Sequence, residues 1–394
     1  MKLMSKAKLV IIISVCLSWQ PINAQIKAGA ENTTEYLPLI KGKKIALVVN
    51  QTSVIGKTAL PDSLLKLHVK VKKIFVPEHG FRGQTSAGAD VENSIDDKTG
   101  LPIISLFGKK FKPTPEDLKG IDIVIYDIQD VGARFYTYTS TLHYVMEACA
   151  ENKKQLIILD RPDPNGYYVD GPVLEKQFSS FVGLDPVPIV YGMTPGEYAQ
   201  MMNGEGWLQD GEKCNLKVIK VKGYAHSDTV KLTIPPSPNL PTPESVCLYP
   251  SVCLFEGTDV SVGRGTDKPF ELIGKPGFKL GEVKFTPHSI PGKAEDPPYK
   301  DIECTGFALT KFADDYIRHA NEIYLYWLVG FYANSDNKDK FFNSFFDKLA
   351  GTDKLRKEIQ DGWDAAKIRK SWIKDIAAFK TIRAKYLLYA DFKE

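Results

Sequence analysis

Cysteine is scarce and unpatterned in this 394-residue chain. Cys16 lies in an N-terminal apolar stretch, and Cys149, Cys214, Cys247, Cys253 and Cys304 have neither the paired spacing of a zinc site nor the even count of a disulfide framework. Cys149, Cys247 and Cys253 sit in apolar surroundings and read as small core residues. The chain also lacks a Gly-x-Ser-x-Gly elbow, a Walker lysine and a His-Glu-x-x-His pair, which removes the specific support for serine hydrolases, nucleoside triphosphatases and zincins. Charge of one sign is missing too: the formal net charge is +3, with no basic field, so neither nucleic acid nor anionic membrane is an expected partner.

Long apolar runs are absent beyond the N-terminus. Met1–Ala24 combines Lys2, Lys6 and Lys8 with the apolar run Leu9–Leu17 and a small residue at Ala24, the pattern of a secretory signal peptide, and the run is too short to span a bilayer. Its removal takes three lysines and no acids, bringing +3 to zero, and the mature chain is expected in the periplasm or outside the cell without a membrane span. A lipoprotein acylated at Cys16 is the lesser reading, because Val15 is large for the position before such a cysteine. The length suits two domains, and 43% hydrophobic with 25% charged residues is a globular composition.

From Lys43 the text alternates strand and helix signals. Strands are expected at Lys44–Asn50, Lys70–Val76, Leu101–Phe107, Ile121–Ile128 and Gln155–Leu159, with helices at Leu60–His68, Pro115–Gly120 and Tyr138–Asn152. This predicts an α/β fold: a Rossmann-like parallel sheet over residues 25–180, followed by a second α+β domain over 181–394. Four strands end in polar groups: Asn50 and Gln51; Glu78 and His79; Asp127, Gln129 and Asp130; Asp160, Arg161 and Asp163. In an open parallel sheet those ends share the edge where ligands bind. Asp62 and Asp117 read instead as helix-start residues.

Further on, Thr194 is placed to cap a helix begun by Pro195, and Asn215–Val221 alternates like a half-exposed strand. Ile234–Pro243 holds five prolines around Ser237 and Asn239, a rigid segment suited to a domain junction or a pocket wall. Leu254–Thr266 gathers Glu256, Asp259, Ser261, Arg264 and Thr266 among glycines, the composition of a sugar site and not a dinucleotide fingerprint, so no cofactor is expected. The last third predicts helices at Lys311–Phe331, Lys338–Leu349, Thr352–Gln360 and Asp361–Trp372, with Phe341, Phe342, Phe345 and Phe346 as core.

Carboxylates without a nucleophile motif suit glycoside hydrolysis, which needs one protonated carboxylic acid and a second group to serve as nucleophile, base or cation stabiliser. Glu78 with Asp127 and Asp130 can meet both needs. Two readings stand beside it: a metal-dependent hydrolase using His79, Asp127, Asp130 and Asp160, and a non-catalytic envelope module that binds wall sugars.

Pro77–Gly83, Asp127–Tyr138, Leu159–Gly166 and Phe255–Thr266 together resemble the NamZ family of exo-β-N-acetylmuramidases, in the family's order and over the chain from about Lys43 onward. Asp259 departs from the asparagine expected there, and Phe285–His288 follows its segment only loosely. The resemblance implies release of terminal N-acetylmuramic acid from the non-reducing end of peptidoglycan fragments, in a pocket between two domains. It implies Glu78 as the essential acid with His79 and Arg82 beside it, and Asp127, Gln129, Asp130, Arg134 and Tyr136 along the pocket. Asp160, Arg161 and Asn165 are the implied next wall, closed by Glu256 and Arg264. An arginine suits the lactyl carboxylate that distinguishes muramic acid from glucosamine, with Arg82, Arg134, Arg161 and Arg264 as candidates.

Overall fold

Lys44–Val49 (β1) lies inside a seven-stranded sheet because both of its faces find cover. Ile45, Leu47 and Val49 enter one core with Ile123 and Ile125, while Ala46 and Val48 enter another with Val124 and Tyr126. Alternation that is apolar on both faces marks a strand sandwiched between helices. The computed structural model describes residues 26–81 and 92–393, so the Met1–Ala24 segment and Arg82 lie outside the described residues.

The other strands of the sheet are Lys70–Val76 (β2), Ser94–Ile95 (β3), Pro102–Ser105 (β4), Ile123–Asp127 (β5), Gln155–Leu159 (β6) and Asn215–Ile219 (β7). Their spatial order is β3-β4-β2-β1-β5-β6-β7, parallel except at the edge strand β3. The order reverses between β1 and β5, as in other doubly wound sheets. The Rossmann-like reading therefore holds, with one antiparallel edge added. Helices Thr33–Ile40 (α1) and Leu60–Lys66 (α2) pack on one face; Tyr138–Glu151 (α3) and Pro195–Glu205 (α4) pack on the other. Thr194 caps α4, with Glu197 returning the bond, and Gly206 ends it at φ +72°.

The sheet does not stop at residue 180. Strand β7 pairs with β6 over its whole length, so the first unit runs past the expected boundary; a half-exposed strand reads locally the same at a sheet edge as in a new domain. Pro243–Val252 (α5) is a helix that the proline-rich text concealed: Thr242 caps it and Pro243 occupies its first turn. Beyond it lies a three-stranded antiparallel sheet, Leu272–Lys275 (β8), Val283–Phe285 (β9) and Cys304–Ala308 (β10), in the order β8-β10-β9.

The helical tail is more broken than its periodicity suggested. Asn321 at φ +51° ends one helical stretch before Tyr326–Ala333 begins, and the Lys338–Leu349 region keeps only a short turn and Phe346–Ala350. Phe341 and Phe346 are buried as expected, whereas Phe345 is partly exposed. Pro115–Gly120 is a turn, not a helix, and an added helix occupies Ile373–Arg383.

Gly306 faces Gly274 across the β8–β10 pair, where a Cβ on Gly306 would stand 1.9 Å from the Ile273 carbonyl oxygen. Gly306→Ala is therefore expected to lower stability by about 1–3 kcal/mol in equilibrium urea unfolding. An unchanged midpoint would contradict this pairing.

Candidate active site

The carboxylates at the carboxyl edge of the main sheet are taken out of water. Asp127 at the end of β5 accepts from Arg161 Nε and Nη2 at 2.6 and 3.0 Å. Asp130 accepts from the Tyr191 hydroxyl at 2.5 Å and the Gly132 amide at 2.8 Å. Asp160 accepts from Thr194 Oγ1 at 2.8 Å, the Gly196 amide at 2.7 Å and the Tyr389 hydroxyl at 2.5 Å. Burial outweighs these bonds, pushing Asp130 up to about 6 and Asp160 up to about 7, and it raises Asp127 despite Arg161. Burial raises Asp163 as well, although its Oδ1 accepts from the Asn165 amide.

Their neighbours are equally committed. The Gln129 side-chain amide donates to the carbonyls of Asp130 and Pro162, and that of Asn165 to Val131 and Val246. Fully buried Arg134 donates to four carbonyls: Pro172 and Val187 through Nη1, Leu349 and Ala350 through Nη2. Desolvation lowers its pKa to about 9. Asp127, Gln129, Asp130, Arg134, Asp160, Arg161 and Asn165 thus form a buried layer and line no cavity wall described below. A sequence position at a strand end shows which edge a residue occupies, not whether its side chain turns outward or into the core.

Above this layer is a cavity of about 540 Å³ that draws walls from both units. Five residues expected at the site line it: Glu78, His79, Tyr136, Glu256 and Arg264. Glu78 follows β2, and Thr137 Oγ1, beside the start of α3, donates to its Oε2 at 2.8 Å. His79 and Gly80 have φ of +70° and +72°, a left-handed turn that costs a histidine about 1–2 kcal/mol and swings the chain off the strand direction. His79 Nε2 lies 3.3 Å from Ser237 Oγ. The proline-rich segment does form a wall, contributing Ser237, Asn239 and Leu240, and the Tyr136 hydroxyl donates to the Pro236 carbonyl at 2.8 Å.

On the far wall Glu256 accepts from Arg264 Nε, and the guanidinium carbon sits 5.0 Å from the Phe270 ring centre. The Cys253 thiol, also at the cavity, is pushed well up by burial and stays protonated, which removes it as a nucleophile. Among the described residues no group of three or more His, Cys, Asp or Glu side chains is placed to hold a metal ion; Asp127, Asp130 and Asp160 are each engaged elsewhere. A second cavity, about 790 Å³, lies past Pro235, Pro236 and Leu240 and contains none of the residues expected to do chemistry.

The family model described as exo-beta-N-acetylmuramidase NamZ, N-terminal, matches residues 45–244, and its C-terminal counterpart matches 247–389. This chain belongs to the NamZ family. It is 39% identical to the peptidoglycan beta-N-acetylmuramidase NamZ of Bacillus subtilis (strain 168), over 90% of this chain and 89% of that one. Two crystal structures of DUF1343 family proteins from Bacteroides fragilis NCTC 9343 share its fold. One has a TM-score of 0.87 at 46% identity, covering 93% of this chain and all of the other; the second has 0.75 at 32%, covering 92% and 99%.

Sequence reasoning missed several lining residues of this NamZ-family cavity: Thr137, Tyr138, Tyr249, Lys293, Glu295 and Phe345. Thr137 and Tyr138 lie inside the Asp127–Tyr138 motif, whose site residues were read only as far as Tyr136. Lys293 and Glu295 stand in an irregular connection without periodicity, and Phe345 looked like one more core aromatic.

Two outcomes test the buried layer. Arg134→Met leaves four carbonyls without their donor, and its unfolding free energy is expected to fall by roughly 3 kcal/mol. Asp160 binds its proton more tightly folded than unfolded, so its stabilising contribution is complete below about pH 4 and lost as pH rises through about 7. The stability gap between wild type and Asp160→Asn should therefore move in wild type's favour as pH falls from about 8 to about 5. A gap independent of pH in denaturant titrations counts against this.

Proposed function

We propose that this chain is an exo-acting β-N-acetylmuramidase that releases terminal N-acetylmuramic acid from the non-reducing end of peptidoglycan fragments, in cell-wall turnover. The observation that carries the reading is Glu78: a carboxyl presented to a sugar-sized cavity on a left-handed turn, its orientation set by Thr137, while the other carboxylates of the sheet edge are locked in the core. The family and the 39% identical B. subtilis relative support the substrate.

In this reading Glu78 gives its proton to the glycosidic oxygen as the C1–O bond breaks, and the departing sugar leaves as an alcohol. Positive charge developing at C1 is met in a cavity that also carries Glu256, Glu295 and Asp296. Water adds at C1 and gives up a proton as the new C1–O bond forms, and Glu78 is reprotonated for the next cycle, leaving free N-acetylmuramic acid and a shortened glycan. His79, held by Ser237, stands beside the acid as a positioning group. The lysine-rich, then apolar, start of the chain supports an exported enzyme that meets its substrate in the periplasm or outside the cell.

The test is release of an aryl group from its β-N-acetylmuramide and β-N-acetylglucosaminide, with and without chelator. Cleavage of the muramide, indifferent to chelator and reduced roughly 10²–10⁴-fold in Glu78→Gln, is the expected result. Turnover unchanged in that variant sinks the assignment of the acid. No cleavage of either sugar points to the binding module, and loss with chelator to the metal-dependent hydrolase.

A further inference from the structure

The structure assigns recognition of the lactyl carboxylate of N-acetylmuramic acid to Arg264, with Glu256 as the residue that positions it. This rests on the glycosidase reading above and names the group that makes the same site select muramic acid over glucosamine.

Of the arginines implicated by the sequence, two are already spent. Arg134 donates both terminal nitrogens to main-chain carbonyls, and Arg161 is bound through Nε and Nη2 to Asp127; both are buried beneath the cavity. Arg264 differs in each respect. It lines the cavity, its side chain is 19% exposed, and its one hydrogen bond among the described residues is from Nε to Glu256. Among the described residues neither terminal nitrogen has an acceptor; Nη1 is buried, so Nη2 is the nitrogen left open to a ligand. A partly desolvated guanidinium with its open nitrogen idle is short of an acceptor, and a carboxylate oxygen supplies a charge-assisted one.

Charge favours the same conclusion. Beside the proton donor Glu78 the lining carries Glu256, Glu295 and Asp296, and among the described lining residues only Arg264 and Lys293 are basic. An anionic sugar entering this space is repelled unless one of them meets it. Lys293 is exposed and keeps its hydration, whereas Arg264 is held rigidly between Glu256 and the Phe270 face. Glu256 takes the Nε edge and turns the Nη edge away from itself. A neutral N-acetylglucosamine offers that edge only hydroxyls.

The experiment is calorimetric binding of free N-acetylmuramic acid, its lactyl amide and N-acetylglucosamine to the mature chain, beside aryl muramide and glucosaminide turnover. In the wild type the acid is expected to bind roughly 10- to 100-fold more tightly than its amide. Arg264→Gln should bind acid and amide alike, and Arg264→Lys should keep a reduced preference. Because the amide alters the ligand alone, the wild-type comparison holds even where a variant fails to fold. Equal wild-type affinity for acid and amide overturns the assignment. So does a preference that survives Arg264→Gln, or one erased instead by Arg82→Gln or Lys293→Met. Absence of turnover with retained acid preference would overturn the glycosidase reading while leaving Arg264 as the carboxylate site.

Discussion

The Asp127–Arg161 ion pair puts a carboxylate at the centre of the fold where water does not reach it, and the surrounding chain is arranged to satisfy it and its neighbours. A bidentate guanidinium is the geometry that makes such burial tolerable, since breaking a buried pair costs far more than the pair contributes. Asp160 imposes the same demand one strand away. It is met by Thr194 and Gly196 at the start of α4 and by Tyr389 near the C-terminus, so one carboxylate ties together three distant parts of the chain. Burial lifts its pKa to about 7, leaving this clasp close to a change of protonation at neutral pH.

Arg134 extends the logic across the two units. Its terminal nitrogens reach the carbonyls of Pro172 and Val187 on one side and of Leu349 and Ala350 on the other. Leu349 in turn lines the cavity, so one of its walls is fastened to the segment after β5 by a fully buried arginine. The polar residues of the strand ends act as a foundation. The polar groups that line the cavity are carried separately, by a left-handed turn, the proline-rich segment and the Glu256–Arg264 pair.

In the cavity lining, Thr137 hydrogen-bonds Glu78, Ser237 lies within hydrogen-bond distance of His79, and Glu256 accepts from Arg264. The buried layer beside them spends most of its hydrogen bonds within the protein. Rigid support beneath a cavity is what a preorganised site requires.

Much of this was legible in the chain itself. Continuous apolar runs such as Lys44–Val49 and Ile123–Asp127 are dictated by burial on two faces, and alternation with helices dictates a parallel sheet; Pro77–Gly83 announced Glu78 and His79. Local signals did less well where packing outranks propensity, as in the edge strand Asn215–Ile219, the helix hidden behind Pro243 and the broken aromatic tail. Residue type and strand position by themselves determined the sheet, its carboxyl edge and the polar groups gathered there. Only the tertiary structure decided which of them line a cavity, because an aspartate or arginine reads the same in sequence whether it turns toward a buried side chain or toward open space.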